Sequence, residues 1–189
     1  MEYSLNDLID LFNILIKELG LNIAIIGSVA LYYNIGEKRF NEDLDLFIYK
    51  GSILEQEDKL REICYKKGWD FGLTEFGTPK ITVRKDEYEI EIEIFENIYD
   101  FYIPQEIIER SRDIKIKDLI IKMILPEHYV VLKARTGSSK DIEKLSLIKD
   151  LVNERKLRLD LSIIRETVSY FEDEEKMIIS RLRSVGINI

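Results

Sequence analysis

The sequence lacks the features of exported and membrane-bound proteins. It contains a single cysteine, Cys64, so no disulfide can form within the chain. No segment joins a charged start to an apolar run, as a secretion signal does, and none has the ~20 consecutive apolar residues of a membrane span. We therefore expect a cytoplasmic protein without a membrane segment.

Histidine is also scarce, and the 28 lysines and arginines are outnumbered by 36 acidic residues. The only histidine, His128, lies near the start of a predicted helix, and we interpret it as incidental to catalysis. A net charge of −8 argues against a protein that coats nucleic acid with its whole surface, but it leaves room for a local basic patch. The 46% hydrophobic content excludes a disordered chain, and 189 residues suffice for one compact unit or two small ones.

One stretch, residues 23–50, organises the interpretation of the chain. Its first apolar run, residues 23–26, has the length and β-branched content of a buried strand, and it breaks at Gly27 and Ser28 into a short helical pattern. A strand that turns on glycine into a helix presents free backbone N–H groups at the positive end of the helix dipole. Such a turn can bind phosphate oxygens, and glycine allows them to approach the backbone closely.

A second strand is predicted from Asp43 to Tyr49. The two-residue period of a strand directs the side chains of Asp43 and Asp45 to one face and that of Leu44 to the other. Two carboxylates held that close repel each other unless a cation lies between them, so we interpret the pair as ligands of Mg²⁺, with Mn²⁺ as a substitute. A phosphate-binding turn beside metal ligands indicates nucleotide chemistry.

These residues resemble a known signature. Gly27-Ser28, Arg39, Asn41 and Asp43-Leu44-Asp45 are similar to the Gly-Ser, Arg-x-Thr/Ser-x-Asp-x-Asp pattern of nucleotidyltransferases related to DNA polymerase β, including its minimal members. Asn41 stands where relatives carry Thr or Ser. The resemblance implies an α+β fold, with a mixed sheet flanked by helices and a helical portion after it. It also implies nucleotide binding by Gly27, Ser28, Arg39 and Asn41.

The resemblance further implies a third metal-binding carboxylate on a strand beside the two aspartates. In the predicted strand Tyr88–Phe95, Glu89, Glu91 and Glu93 alternate with isoleucines. By itself this alternation is typical of a half-exposed strand with a solvated acidic face. Glu93 best matches the apolar-acid-apolar pattern of the family, and Glu91 is the alternative.

The remaining patterns divide the chain into a nucleotidyltransferase domain at 1–100 and a mostly helical domain at 101–189. In the first we predict helices at 4–19 and 53–67, a strand at 69–74, and a hairpin of 79–84 and 88–95 joined through 85–87. Cys64 is interpreted as a small buried hydrophobic residue. In the second we predict helices at 104–111, 127–135, 138–152, 161–171 and 174–182, and short strands at 114–116 and 119–123.

Part of the helical half resembles another group. Lys133 and Asp141 match a Lys-Ala…Arg-x-Lys-Asp pattern of abortive-infection (AbiEii-type) toxins and their relatives, although Ser138 departs from its second Arg. For an unselected lysine and aspartate, a pair of exposed charges on a polar helical face is the simpler interpretation.

The resemblance implies a metal-assisted reaction. Asp43, Asp45 and Glu93 (or Glu91) would bind two Mg²⁺ ions and an NTP, while Gly27 and Ser28 would hold its β and γ phosphates. Lys133 would neutralise phosphate charge in the transition state, and Asp141 would hold the lysine in place or contact the acceptor. An acceptor hydroxyl on RNA, tRNA in particular, is the leading expectation. An antitoxin that transfers AMP to a toxin partner is the second, and a non-catalytic nucleotide- or partner-binding module is the third.

Overall fold

The computed structural model of the protein describes residues 2–85, 88–98 and 101–189. The chain forms two compact units, Met1–Ile124 and Leu125–Ile189. All the strands described belong to the first unit, and the second unit is helical. No helix in the described part of the chain combines the length and apolar character needed to cross a membrane.

The first unit is built on a mixed seven-stranded sheet, which confirms the predicted α+β class. Its strands lie in the order β3-β4-β5-β2-β1-β7-β6. Strand β2 runs antiparallel to β1 and parallel to β5, and β7 runs parallel to β1. The strands are β1 (Asn22–Ile26), β2 (Leu44–Lys50), β3 (Asp70–Leu73), β4 (Pro79–Lys85), β5 (Tyr88–Phe95), β6 (Arg112–Ile116) and β7 (Leu119–Met123).

The predicted hairpin of β4 and β5 is confirmed, because the two strands pair in antiparallel register from Lys80 opposite Glu93 to Lys85 opposite Tyr88. The predicted turn through Lys85, Asp86 and Glu87 lies partly outside the described residues. On β5 the isoleucines are buried and the glutamates alternate with them, as the strand period requires.

In place of the first predicted helix, the structure has three types of helical turn that follow one another. A 3₁₀ turn (Leu5–Leu8) leads into α1 (Ile9–Asn13), which continues as a π-helical turn (Ile14–Glu18). The other helices of this unit are α2 (Gly27–Asn34), α3 (Glu57–Lys67) and α4 (Gln105–Glu109). Helix α3 begins later than predicted, because the residues from Ile53 form turns first, in which the N–H of Gln56 donates to the Ile53 carbonyl oxygen at 3.1 Å and the N–H of Glu57 donates to that of Leu54 at 3.4 Å.

The first compact unit ends at Ile124, whereas the predicted domain boundary lies at residue 100. Strands β6 and β7 follow that seam in sequence, but β7 pairs with β1 through Ala24 opposite Lys122 and Ile25 opposite Met123. Helix α4 and these two strands therefore belong to the first unit. Long-range strand pairing, which leaves no local signal in the sequence, determines this boundary.

The second unit contains four helices, as predicted, with modest shifts of their ends: α5 (Pro126–Thr136), α6 (Ser139–Asn153), α7 (Leu161–Ser169) and α8 (Glu175–Ser184). Pro126 occupies the first turn of α5, where its missing N–H costs nothing. Ser138 and Asp160 cap α6 and α7 with side-chain oxygens that accept backbone N–H groups.

Candidate active site

The turn from β1 into α2 has the form expected of a phosphate-binding turn. Strand β1 ends at Ile26, and Gly27 begins α2 with a φ of +72°, in the region that favours glycine. Gly27 and Ser28 are partly exposed at the N-terminus of this eight-residue helix. The first backbone N–H groups of a helix lack partners within the helix, and they point toward its N-terminus.

Asp45 lies against this turn. Asp45 pairs with Ile26 in the antiparallel register of β1 and β2. A Cβ atom added to Gly27 would lie 2.7 Å from Asp45 Cγ and would overlap the Asp45 Oδ2 atom. The absence of a side chain at residue 27 therefore makes room for a carboxylate, and the two halves of the sequence signature are in contact.

The carboxylates of β5 lie beside those of the Asp-x-Asp segment. The parallel register of β2 and β5 places Asp45 opposite Glu93 and Leu44 opposite Ile92. Asp43 is in the electrostatic range of Glu91, since burial of its carboxyl group, and then the charge of Glu91, raises the pKa of Asp43. The structure thus brings both candidates for the third carboxylate to the aspartates, one opposite each.

Lys80 completes this face of the sheet and was missed in the sequence. It pairs with Glu93 in the register of β4 and β5, and its Nζ lies 2.6 Å from Glu91 Oε2 and 3.4 Å from Glu93 Oε1. The hydrogen bond to Glu91 is the main reason why the pKa of Lys80 is raised. The register of the predicted hairpin is the signal that could have revealed this lysine.

Asp43 and Asp45 fit a hard divalent cation better than Glu91 and Glu93 do. Within residues 2–85, 88–98 and 101–189, no group of three or more His, Cys, Asp or Glu side chains is gathered as metal ligands. The glutamates are held by Lys80, whereas burial, and then the charge of Glu91, raises the pKa of Asp43. Carboxylate oxygens at Asp43 and Asp45, beside the turn at Gly27, are the donor set that Mg²⁺ prefers.

Tyr3 is a second residue that sequence reasoning missed. Its side chain is buried, with 3% of its surface exposed, and its hydroxyl donates a hydrogen bond to the Glu42 carbonyl oxygen at 2.9 Å. Burial raises its pKa, and the charges of Asp45 and then Asp43 raise it further. The tyrosine hydroxyl is therefore within electrostatic range of both aspartates. No local pattern near residue 3 indicates such a position.

The other two predicted nucleotide-binding residues lie at the surface. The Arg39 guanidinium donates a hydrogen bond to the Glu2 carbonyl oxygen at 2.6 Å, and Arg39 Nε lies 3.8 Å from the Glu2 carboxylate. Asn41 is exposed in the segment that leads into β2. Nucleotide binding by these two residues stays a prediction.

In the second unit, Lys133 and Asp141 form an ion pair, with Lys133 Nζ 2.8 Å from Asp141 Oδ1. Asp141 is buried and also accepts hydrogen bonds from Thr136 Oγ1 (2.8 Å) and Ser138 Oγ (2.7 Å). Burial would raise the pKa of Asp141, but the bonds from Lys133, Ser138 and Thr136 outweigh it and hold the pKa below its usual value. The ion pair is therefore part of a hydrogen-bonded network at the connection between α5 and α6.

The single cysteine and the single histidine are both buried. Burial raises the pKa of the Cys64 thiol to about 11, so it stays protonated at neutral pH, as expected of a small core residue. His128 Nδ1 accepts a hydrogen bond from the Leu125 backbone N–H at 3.4 Å, at the start of α5.

The comparisons with known proteins agree with this geometry. A family described as nucleotidyl transferase of unknown function (DUF2204) matches residues 4–184. An antigenic nucleotidyltransferase-like protein from Paracoccidioides brasiliensis shares the fold, with a TM-score of 0.54 and 16% identity over 100% of this chain and 97% of its own. No curated protein matches the chain.

Two further solved structures are more distantly similar. A nucleotidyltransferase from H. pylori has a TM-score of 0.44 and 17% identity over 96% of this chain and 82% of its own. The antibiotic-resistance factor ANT(2'')-Ia has a TM-score of 0.44 and 15% identity over 95% of this chain and 91% of its own. Since the family match spans nearly the whole sequence, the chain belongs to the DUF2204 family and is a nucleotidyltransferase.

Proposed function

We propose that the chain is a metal-dependent enzyme that moves a nucleoside monophosphate from an NTP to an acceptor hydroxyl group. The observation that carries this proposal is the contact between Gly27 and Asp45. It joins a helix N-terminus suited to phosphate to a carboxylate suited to a divalent cation. A triphosphate bound at the turn would have its reacting phosphorus beside the aspartates.

Asp43 and Asp45 would hold Mg²⁺, or Mn²⁺, with Glu93 as the third ligand and Glu91 as the alternative. The metal, when bound, would supply Lewis-acid polarisation of the phosphate and a lower pKa for the attacking hydroxyl. The acceptor oxygen forms a bond to the α-phosphorus as the bond to the leaving pyrophosphate breaks. Backbone N–H groups at Gly27 and Ser28 would bind the β and γ phosphates.

RNA, and tRNA in particular, is the acceptor that we place first, with the enzyme acting as a component of a toxin–antitoxin pair. The test is transfer of label from each α-labelled NTP to total RNA or total protein, with Mg²⁺ and with a chelator. We expect label on RNA only with the metal. Label on protein would instead support an AMP-transferring antitoxin, and absence of label from both would support a non-catalytic binding module.

The same assay tests the ligands. Asp43→Ala and Asp45→Ala should remove transfer while the protein stays folded, because each change relieves repulsion between carboxylates and removes a metal ligand. Thermal unfolding of each variant checks the fold. Transfer at the wild-type rate by the double variant would overturn the mechanism.

The contributions of Glu91 and Glu93 to transfer can be measured separately, with a control residue on the same face of β5. Glu93→Gln should reduce transfer much more than Glu91→Gln, because Glu93 is the register partner of Asp45. Glu89→Gln is the matched control, since Glu89 lies on the same face and pairs instead with Arg84 at 2.8 Å. The reverse order of effects at 91 and 93 would move the third ligand to Glu91.

A further inference from the structure

A basic groove lies in the first unit, with a volume of about 430 Å³. Four of the residues that line it are Tyr33, Lys38, Arg39 and Lys115. The protein as a whole carries a net charge of −8, so a cluster of cations in one groove departs from its general surface. A concave surface of one charge raises the local concentration of ions of opposite charge.

The cations of the groove have few acidic partners. Lys38 Nζ lies 4.1 Å from the centroid of the Tyr33 ring, and the Arg112 guanidinium carbon lies 5.0 Å from the same centroid. Within the described residues, the one carboxylate at ion-pair distance from Lys38, Arg39 or Lys115 is that of Glu2, 3.8 Å from Arg39 Nε. The Nε atom of Arg112 is buried and has no hydrogen-bond partner in that part of the chain. The groove therefore keeps a positive charge.

The basic groove adjoins the carboxylates. Phe40, which lines it, exchanges two backbone hydrogen bonds with Tyr3, at 2.7 and 2.8 Å. The Tyr3 hydroxyl in turn donates a hydrogen bond to the carbonyl oxygen of Glu42, the residue before Asp43, at 2.9 Å. Arg39 and Asp43 are four positions apart in the sequence, so their Cα atoms are at most about 14 Å apart.

The groove lies apart from the helix N-terminus at Gly27, although it includes Arg39, which the sequence signature predicts to bind nucleotide. Gly27 lies at the N-terminus of α2, whereas Tyr33 lies near its C-terminus. Six residues of α-helix span about 9 Å, so a phosphate held at Gly27 does not occupy the groove. Lys38 and Lys115 are not part of the proposed triphosphate site, and an anion bound by them would approach the aspartates from the other end of α2.

We propose that the basic groove binds the phosphate backbone of a single-stranded acceptor RNA and leads its terminal hydroxyl to Asp43 and Asp45. This inference rests on the proposed function, since it names the acceptor class of the same site. The lysine and arginine side chains of the groove are complementary in charge to a phosphate backbone, which carries one negative charge per nucleotide. Ammonium and guanidinium groups in succession suit successive phosphates.

The test is equilibrium binding of a fluorescent single-stranded RNA oligonucleotide, measured by anisotropy from low to moderate salt without NTP or metal. The variant is K38Q/K115Q, and the control is K66Q/K176Q, which removes two exposed lysines outside the groove. We expect the groove variant to bind about tenfold more weakly at low salt. Its plot of log affinity against log salt should be less steep by about 1.4, since each lost phosphate contact on a single strand accounts for about 0.7.

The outcomes separate this inference from the proposed function. Loss of RNA binding in the groove variant but not in the control supports the inference even if no nucleotide is transferred. Equal affinity and salt dependence for wild type and groove variant would overturn it, as would undetectable binding of RNA by wild type. Competition by a polyglutamate peptide as strong as that by unlabelled RNA would overturn the assignment to RNA.

Discussion

The Asp45 carboxylate fills the space next to Gly27 that a side chain would need. Residue 27 is therefore constrained twice, by a φ of +72° and by the carboxylate packed against it. A glycine that sequence reasoning assigned to phosphate approach also serves the approach of a candidate metal ligand. A side chain at residue 27 would therefore have two separate effects, strain of the backbone and displacement of the Asp45 carboxylate.

Gly27→Ala should lower stability by about 1 kcal/mol or more, because alanine is strained at positive φ. It should also abolish nucleotide transfer, because the new methyl group displaces Asp45. Gly20→Ala is the matched control, since Gly20 has a φ of +69° with nothing within 4 Å of an added Cβ. Thermal unfolding and label transfer measure the two effects. Equal loss of transfer in both variants would contradict the role of the contact.

Lys80 holds the glutamates near the aspartates, so its removal should change metal binding. Lys80→Met should tighten binding of Mn²⁺, measured by electron paramagnetic resonance without NTP, by about fivefold, since roughly 1 kcal/mol of charge repulsion is lost. Arg84→Met is the control, because Arg84 lies on the same face of β4 and pairs with Glu89 and Asp70. If both variants tighten binding equally, net charge alone accounts for the effect.

The Asp7 carboxylate links the start of the chain to β4. It accepts a hydrogen bond from Lys85 at 2.6 Å and two from Ser4, at 2.8 and 2.9 Å. The bond from Lys85, and then those from Ser4, outweigh burial and lower the pKa of Asp7 to about 2. Since this folded-state pKa lies below the unfolded value of about 3.9, the stabilisation is complete above that value and is lost as pH falls from about 4 to 2.

Asp7→Asn should therefore destabilise the protein by about 1 kcal/mol at pH 7, and the difference from wild type should shrink between pH 4 and 2. Urea unfolding across that range measures it. Asp10→Asn is the control, because Asp10 is exposed and its nearest ion-pair contact, Lys67 Nζ, is 3.6 Å away. A constant difference for Asp7→Asn at all pH values would show that the effect is one of packing.

The Lys133–Asp141 pair tests the helical unit. Lys133→Ala should lower kcat and leave the NTP KM little changed if the ammonium contacts phosphate mainly in the transition state. The effects of Lys133→Ala and Asp141→Ala on kcat should be non-additive, because the two side chains are 2.8 Å apart. Steady-state kinetics of both single variants and the double variant measure this coupling.

Lys140→Ala is the control for the pair, since Lys140 is exposed on α6. Asp141→Ala should also destabilise the fold by about 1 kcal/mol, because Asp141 and Ser138 form the capping box of α6. Wild-type kinetics in both single variants would mean that the pair has a structural role alone, and the resemblance to the toxin group would shrink to the first hundred residues.

Sequence patterns alone were enough to predict the strand that ends at Gly27, the Asp43-Leu44-Asp45 segment, the alternation of β5 and the helices of the second unit. These are local properties, because side-chain period, turn residues and helix caps act over a few residues. For the same reason the hairpin of β4 and β5 was predictable.

Only the tertiary structure decided which of these elements meet. The contact of Asp45 with Gly27, the burial of Tyr3 beside Glu42 and the pairing of β7 with β1 all join residues that are far apart in sequence. Strand register determines such contacts, and it depends on how the whole sheet packs rather than on any one segment. Local sequence patterns therefore identify the residues of the candidate site, whereas contacts between distant segments determine its geometry.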